Sequence, residues 1–133
     1  MESQNDEYEE LICEDIKKLA AIFRKEAGEF YPFAIGIDTS KQIYSIAASN
    51  EEEFPDSQTL IDILENNIPL DIIEGKYLLG GICLDIFKYE NIDGIQVKKD
   101  AIEIRFIREG YYKRKYYVYE LRSNGDAIFI KPK

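Results

Sequence analysis

Apolar residues recur every three or four positions along the first 27 residues, which is the spacing of one face of an α-helix. This stripe consists of Tyr8, Leu11, Ile12, Ile16, Leu19, Ala20, Phe23 and Ala27. Acidic residues crowd the first half and basic residues the second, an order that complements the helix dipole. The pattern predicts a helix over residues 4–27 that ends at Gly28, because glycine adopts the left-handed conformation without a Cβ penalty.

The following segment, GEFYPFAIGID, is rich in aromatic and β-branched residues and predicts a strand over residues 29–38. Tyr31, Phe33, Ile35 and Ile37 would share one of its faces. Pro32 cannot donate to a ladder, so this end should lie at a sheet edge or a bulge. A turn at residues 39–41 then leads into a returning strand over residues 42–49.

A second helix is expected to begin at Asp56 or Ser57, since either side chain can accept a hydrogen bond from the first turn. A broad apolar face supports it, made of Leu60, Ile61, Ile63, Leu64, Ile68, Ile72 and Ile73. Pro69 conflicts with this pattern because it lacks an N–H group and clashes with the carbonyl of Glu65. We therefore expect a kink or break near residues 66–67 and a short second segment ending at Gly75.

Beyond Gly75 the apolar pattern changes to a period of two, which predicts strands over residues 77–89, 101–108, 114–122 and 127–131. Ile102, Ile104 and Phe106 would point inward, and Glu103 and Arg105 outward. The sequence Ser123-Asn-Gly-Asp126 is a strong hairpin signal. Two glycines at positions 80–81 lie within a predicted strand, where close packing by a helix is the simplest reason for them.

These elements predict a single α+β domain over residues 1–133. Its sheet would be largely antiparallel, with about five to six strands, and the two main helices would pack on one face.

Charge is distributed unevenly along the chain, whose net charge is −9. Residues 1–90 contain 20 acidic and 7 basic residues, and residues 91–133 contain 6 and 10. A strongly acidic domain is suited to a basic protein partner, and Glu51, Glu52 and Glu53 are candidate contacts in a loop. The acidic start MESQNDEYEE does not resemble a signal peptide, and no apolar run is long enough to span a bilayer. We therefore expect a cytoplasmic protein without membrane association.

The chain contains no histidine, which excludes Ser-His-Asp and Cys-His nucleophile pairs and histidine zinc sites. Cys13 and Cys83 are far apart in sequence and are expected to be buried free thiols. Asp38, Asp85 and Asp100 adjoin strands and are the remaining acid–base candidates, but a paired-carboxylate site needs two of them in one cleft, and aspartates beside strands are more often surface or turn residues. We therefore predict no catalytic, cofactor-binding or metal-binding residues and a protein that is not an enzyme.

A cluster of tyrosines and basic residues marks the C-terminal hairpin. It comprises Tyr111, Tyr112, Lys113, Arg114, Lys115, Tyr116, Tyr117 and Tyr119, with Arg105, Arg108 and Arg122 on neighbouring strands. Basic side chains beside exposed rings can hold phosphates while the rings stack on bases. The isoelectric point of about 4.6 opposes binding to a polyanion. Arg114, Tyr117 and Tyr119 are therefore candidate partner-binding residues, with nucleic acid the less favoured ligand.

The segments GEFYPFAIGID, PDSQTLIDILE, GICLDI and KKDAIEIRFI together resemble a group of small bacterial proteins that have no settled activity. Members of this group carry a GEFYPFG-like motif after the first helix and a PDSQ-type start of the second. The resemblance supports the predicted α+β fold and implies a bacterial cytoplasmic origin. It assigns no catalytic residues.

Three functional hypotheses follow from the sequence. The first is a non-enzymatic interaction domain, such as an immunity protein that binds a basic toxin. The second is a small-ligand or nucleic-acid binder that uses the tyrosine- and arginine-rich hairpin. The third is an acid–base enzyme that uses Asp38 or Asp85, which would require a second carboxylate in the same cleft.

Overall fold

The structure, a computed structural model, describes residues 2–47 and 56–130. This part of the chain folds into two helices and six strands. In chain order they are α1 (Glu2–Ala27), β1 (Phe33–Ile37), β2 (Ile43–Ile46), α2 (Ser57–Ile73), β3 (Leu79–Ile92), β4 (Ile95–Arg108), β5 (Tyr111–Leu121) and β6 (Ala127–Phe129).

The six strands form one sheet in the order β2-β1-β3-β4-β5-β6, and every neighbouring pair is antiparallel. The predicted α+β class and largely antiparallel sheet are therefore confirmed. Strand β1 lies between β2 and β3 rather than at an edge. Pro32 is accommodated because the strand begins one residue later, at Phe33.

The two helices pack on opposite faces of the sheet, so the prediction that both lie on one face is wrong. Helix α1 shares a core with Ile35, Cys83 and Ile104, whereas α2 shares one with Ala34 and Ile82. Residues adjacent in a strand point to opposite faces, so these two cores lie on either side of the sheet. The physical reason is visible in β3, where residues 79–84 are all buried. A strand that is covered on both faces carries a continuous apolar run instead of a clean alternation.

The paired glycines of β3 serve this double packing. A Cβ atom on Gly80 would lie 2.7 Å from Cγ2 of Ile68 in α2, and one on Gly81 would lie 2.8 Å from Cγ2 of Ile12 in α1. Each glycine thus admits one helix close to the backbone of the sheet. The predicted reason for the pair is confirmed, with a separate helix at each residue.

Helix α2 begins where the sequence predicts but does not break. The N-cap carboxylate of Asp56 accepts a hydrogen bond from the backbone N–H of Thr59 at 2.7 Å. The helix continues through Pro69 to Ile73, so the predicted interruption near residues 66–67 is wrong. Leu64 and Ile68 are fully buried, and their packing on the sheet outweighs the single backbone hydrogen bond that proline removes.

The far end of the sheet curls around α1. Tyr119 of β5 and Phe129 of β6 both pack in the core that α1 forms, with their ring centroids 5.5 Å apart. The ammonium group of Lys25 near the end of α1 lies 2.7 Å from a carboxylate oxygen of Asp126 in the turn between β5 and β6. The predicted hairpin at residues 123–126 is confirmed, with Gly125 in the left-handed conformation (φ +92°).

Strands β3 and β4 form a long hairpin that extends beyond its neighbours. Its ladder runs from Gly80 opposite Ile107 to Ile92 opposite Ile95, and Asp93 and Gly94 form the turn. Strand β1 pairs with β3 only as far as Cys83, and β5 pairs with β4 only from Ala101 onward. Residues 86–100, called the β3–β4 arm below, therefore project past the rest of the sheet.

Candidate functional site

The sequence-predicted contact residues do not form one surface. Along β5, Tyr117 and Tyr119 face α1, whereas Arg114 faces the side of the sheet on which α2 packs. Glu51, Glu52 and Glu53 lie outside the described residues. The tyrosine- and arginine-rich hairpin is thus divided between two faces because side chains alternate along a strand.

Tyr119 is a core residue with a hydrogen-bonded hydroxyl group. Only 3% of it is exposed, and its hydroxyl accepts from Nε of Arg24 at 3.2 Å and donates to Asp85 at 3.3 Å. Burial, together with the charge of Asp85, raises the pKa of Tyr119 to about 12 against the opposing effect of Arg24. Tyr119 therefore ties α1 to β3 and offers little surface to a partner.

The candidate site is a cleft between α1 and strands β4 and β5, with a volume of about 660 Å³. Residues about one turn apart on α1 form one wall of the cleft. Side chains of β4 and β5 that point toward α1 form the other wall. The lining residues are Glu9, Glu10, Cys13, Glu14, Lys17, Phe106, Lys115 and Tyr117. The cleft therefore combines carboxylates, ammonium groups, a thiol and aromatic rings.

Glu9 is the unusual residue of this cleft, because it is a carboxylate that is only 7% exposed. Its Oε2 accepts a hydrogen bond from the Tyr111 hydroxyl at 3.2 Å. Its Oε1 lies 3.6 Å from Nζ of Lys115 and has no hydrogen-bond partner among the described residues. A buried carboxylate oxygen without a hydrogen bond is costly, and the ammonium group of Lys115 offsets only part of that cost.

Aromatic rings in the cleft already hold ammonium groups. Nζ of Lys17 lies 4.4 Å from the ring centroid of Tyr117, and Nζ of Lys115 lies 5.6 Å from that of Phe106. Burial raises the pKa of Tyr117, and a hydrogen bond with Cys13 adds to this rise. The Tyr117 hydroxyl stays protonated at neutral pH, and the face of its ring holds the ammonium group of Lys17.

The acid–base candidates occupy different places. The Asp38 carboxylate accepts hydrogen bonds from Ser40 Oγ, the Gln42 N–H and the Tyr44 hydroxyl, at 2.6, 3.0 and 2.9 Å. These bonds, the Ser40 hydroxyl foremost, hold the pKa of Asp38 below its ordinary value, and they fix the turn between β1 and β2. Asp85 and Asp100 instead lie on the α1 face of β3 and β4.

On the α2 side of the sheet, Arg105 links two carboxylates. Its Nη1 lies 2.5 Å from Glu65 and its Nε 2.6 Å from Glu103. Burial lowers the pKa of Arg105, but the hydrogen bonds to Glu103 and Glu65 outweigh it and raise the pKa overall. Glu103 and Arg105 do lie on the face of the sheet opposite Ile102 and Ile104, as predicted. That face is covered by α2, however, and Glu103 is only 6% exposed. The network connects α2 to the sheet.

The sequence reasoning did not single out the cleft, although one signal for it was present. Glu9 lies three and seven residues before Ile12 and Ile16, so it falls on the apolar stripe of α1. An acidic residue on a core-facing stripe is a buried polar group that needs partners. The cleft wall from Phe106 and Lys115 depends on strand pairing across the fold, which no local pattern reveals.

No three His, Cys, Asp or Glu side chains within residues 2–47 and 56–130 are grouped as metal ligands would be. Neither described helix combines the length and the apolar character that a membrane crossing requires.

Comparison with known proteins gives no match, whether to a family model, a curated protein or a solved structure. The resemblance to the small bacterial group with the GEFYPFG-like motif therefore stays a prediction.

Proposed function

We propose that this protein is a non-enzymatic interaction domain of the bacterial cytoplasm that binds a basic protein partner, as an immunity protein binds its toxin. The observation that carries the proposal is the buried Glu9 carboxylate, whose Oε1 has no hydrogen-bond partner among the described residues. A lysine or arginine side chain of a partner that enters the cleft would add positive charge near this carboxylate and would pack against the aromatic walls.

The surroundings of the cleft favour a basic partner over a long range. Residues 1–16 contain seven acidic residues and no lysine or arginine. Glu10 and Glu14, both exposed, lie at the cleft itself. Such a local excess of one charge speeds encounter with an oppositely charged protein and disfavours like-charged ones.

The proposal is tested by affinity capture from an extract of the source organism at physiological salt, before and after nuclease treatment. We expect one basic protein in near-equal amount, insensitive to nuclease. The matched variants are Glu10→Lys/Glu14→Lys, which reverses two charges at the cleft, and Glu109→Lys/Glu120→Lys, which makes the same change elsewhere. The first should weaken binding of the purified partner by at least tenfold, measured by calorimetry.

Two results would contradict the proposal. If both double variants weaken binding equally, the cleft is not the contact and only net charge matters. If the recovered material disappears after nuclease treatment, the partner is a nucleic acid.

A second candidate function, a nucleic-acid or small-ligand binder, is supported by the exposed side of β5. Tyr112, Arg114 and Tyr116 alternate there and are all exposed, and Nε of Arg114 donates to the Tyr112 hydroxyl at 3.3 Å. Tyr117, which faces α1, would not take part. This function requires that Arg114→Ala weaken binding of a single-stranded oligonucleotide, with a steep dependence on salt, and that Glu10→Lys/Glu14→Lys not weaken it.

A further inference from the structure

The outer part of β3 is a strand edge that no described residue pairs with. Strand β1 leaves β3 at Cys83, and the ladder between β3 and β4 continues to Ile92. The backbone N–H and C=O groups that point away from β4 over residues 86–92 therefore lack a ladder partner in the described chain. Unpaired edges of this length are templates for another strand.

Side chains along this edge are unusually exposed for apolar residues. Phe87 is 56% exposed, Tyr89 59% and Ile92 44%, and all three belong to β3. Folding of the single chain has thus not buried the apolar surface that the arm carries. Removing it from water would favour association.

The charge pattern of the edge is self-complementary under a two-fold axis. If two copies of β3 pair in antiparallel fashion with Tyr89 opposite Tyr89 of the second copy, Lys88 faces Glu90 of the second copy, and Glu90 faces its Lys88. Opposite charges directly across a ladder are stabilising, and like charges are not. Shifting the axis by one residue to Lys88 or to Glu90 would place like charges opposite each other.

Both side chains are free to make these pairs. Glu90 forms no ion pair with any residue of the described ranges. The exposed ammonium group of Lys88 lies 5.0 Å from the ring centroid of Tyr116, a solvated cation–π contact that can be exchanged for an ion pair.

The opposite edge of the arm, on β4, is protected. It carries Lys98 and Lys99 side by side, and charged residues, lysine above all, are the usual means of preventing edge pairing. The arm as a whole is neutral, with three lysines and three acidic residues over positions 86–100. Two arms can therefore meet at this edge without a net repulsion between them.

We propose that β3 pairs with β3 of a second copy of this chain, antiparallel and centred on Tyr89, so that two six-stranded sheets join into one. The axis stands perpendicular to the sheet, which keeps the α1 face of both copies on the same side. The paired length, residues 86–92, fits between the end of the β1 ladder and the turn at Asp93.

The test is sedimentation equilibrium of the full chain at physiological salt, with a charge swap. The wild type should dimerise. Lys88→Glu and Glu90→Lys should each weaken dimerisation by about tenfold, because each creates two like-charged pairs across the axis. The double variant Lys88→Glu/Glu90→Lys should restore it. Lys113→Glu, an exposed position of β5 outside the arm, is the control and should leave dimerisation unchanged.

Cross-linking tests the register separately. Tyr89→Cys should form a disulfide between copies under mild oxidation, because the axis brings the two positions opposite each other. Phe87→Cys should not, since its copy lies four residues away along the ladder, about 13 Å. A monomeric wild type, a double variant that fails to recover, or equal cross-linking at both positions would overturn the proposal.

Discussion

Asp85 lies on the α1 face of β3 with its carboxyl group half-buried beside Tyr119. Burial raises the pKa of Asp85, and the hydrogen bond from Tyr119 and the charge of Arg24 only partly oppose the rise. A carboxyl group whose pKa is raised by folding binds more protons in the folded than in the unfolded state. Its contribution to stability therefore falls as the pH rises through the folded pKa.

We predict that Asp85→Asn raises the melting temperature at pH 7, because asparagine accepts the Tyr119 hydrogen bond without carrying a charge. The advantage should shrink as the pH is lowered and vanish below about 4, the ordinary pKa of aspartate. Thermal unfolding followed by circular dichroism between pH 3 and pH 8 measures this.

Asp126→Asn provides a control of opposite sign. Hydrogen bonds from Lys25 and Asn124 lower the pKa of Asp126 in the folded state, so its stabilisation is present above the unfolded pKa and is lost in acid. This variant should be less stable than the wild type at pH 7 and equal to it at low pH. Identical pH profiles for the two variants would contradict the assignment of Asp85.

The residue scale is where sequence reasoning was weakest. Glu9 sits on the apolar stripe of α1, so its burial could have been anticipated, but its neighbours Tyr111 and Lys115 are about a hundred positions away. Glu103 reads as outward-facing because it alternates with Ile102 and Ile104. Its burial depends on Arg105 and on Glu65 of α2, which only the tertiary fold brings together.

At the scale of elements, the glycine pair of β3 lets both helices approach the backbone of the sheet closely. We predict that Gly80→Ala destabilises the protein by about 1–3 kcal/mol, because its new Cβ must displace the buried Ile68. Urea unfolding at equilibrium gives this difference.

The double variant Gly80→Ala/Ile68→Ala separates this clash from a loss of glycine flexibility. Ile68→Ala alone leaves a cavity at a fully buried position, and the methyl group added at position 80 would partly fill it. The double variant should therefore be more stable than the sum of the two single effects allows. If the changes in the free energy of unfolding simply add, the side chains at positions 68 and 80 do not clash.

Elements were easier to predict than their arrangement. The apolar periods located both helices and all six strands, and the Asp56 cap and the residue 123–126 turn followed from local chemistry. The assignment of both helices to one face failed because a doubly covered strand looks like a longer apolar run. The predicted break at Pro69 is wrong because the packing of Leu64 and Ile68 on the sheet outweighs the low helix propensity of proline.

For the whole molecule, the sequence places most acidic residues in positions 1–90 and most basic ones in positions 91–133, and the fold decides which faces carry them. The two helices lie on opposite faces, so α2, which has acidic but no basic residues, covers one face while the acidic start of α1 lies on the other. Between them lie β3, β4 and β5. Each face therefore presents its own acidic helix, and the cleft belongs to the α1 face alone.

The path of the chain through the sheet also orders the events of folding. Strands β3 and β4 are joined by two residues, whereas Phe33 of β1 must find Cys83 of β3 across fifty positions and a complete helix. Closing a long loop has an entropic cost that the contacts must repay, so distant pairings form late. We expect amide protons of the β3–β4 hairpin to be protected first, and the β1 amide protons that bond to β3 to be protected last, in pulsed hydrogen exchange during refolding. Protection of β1 ahead of the hairpin would show that α1 recruits β1 before the sheet exists.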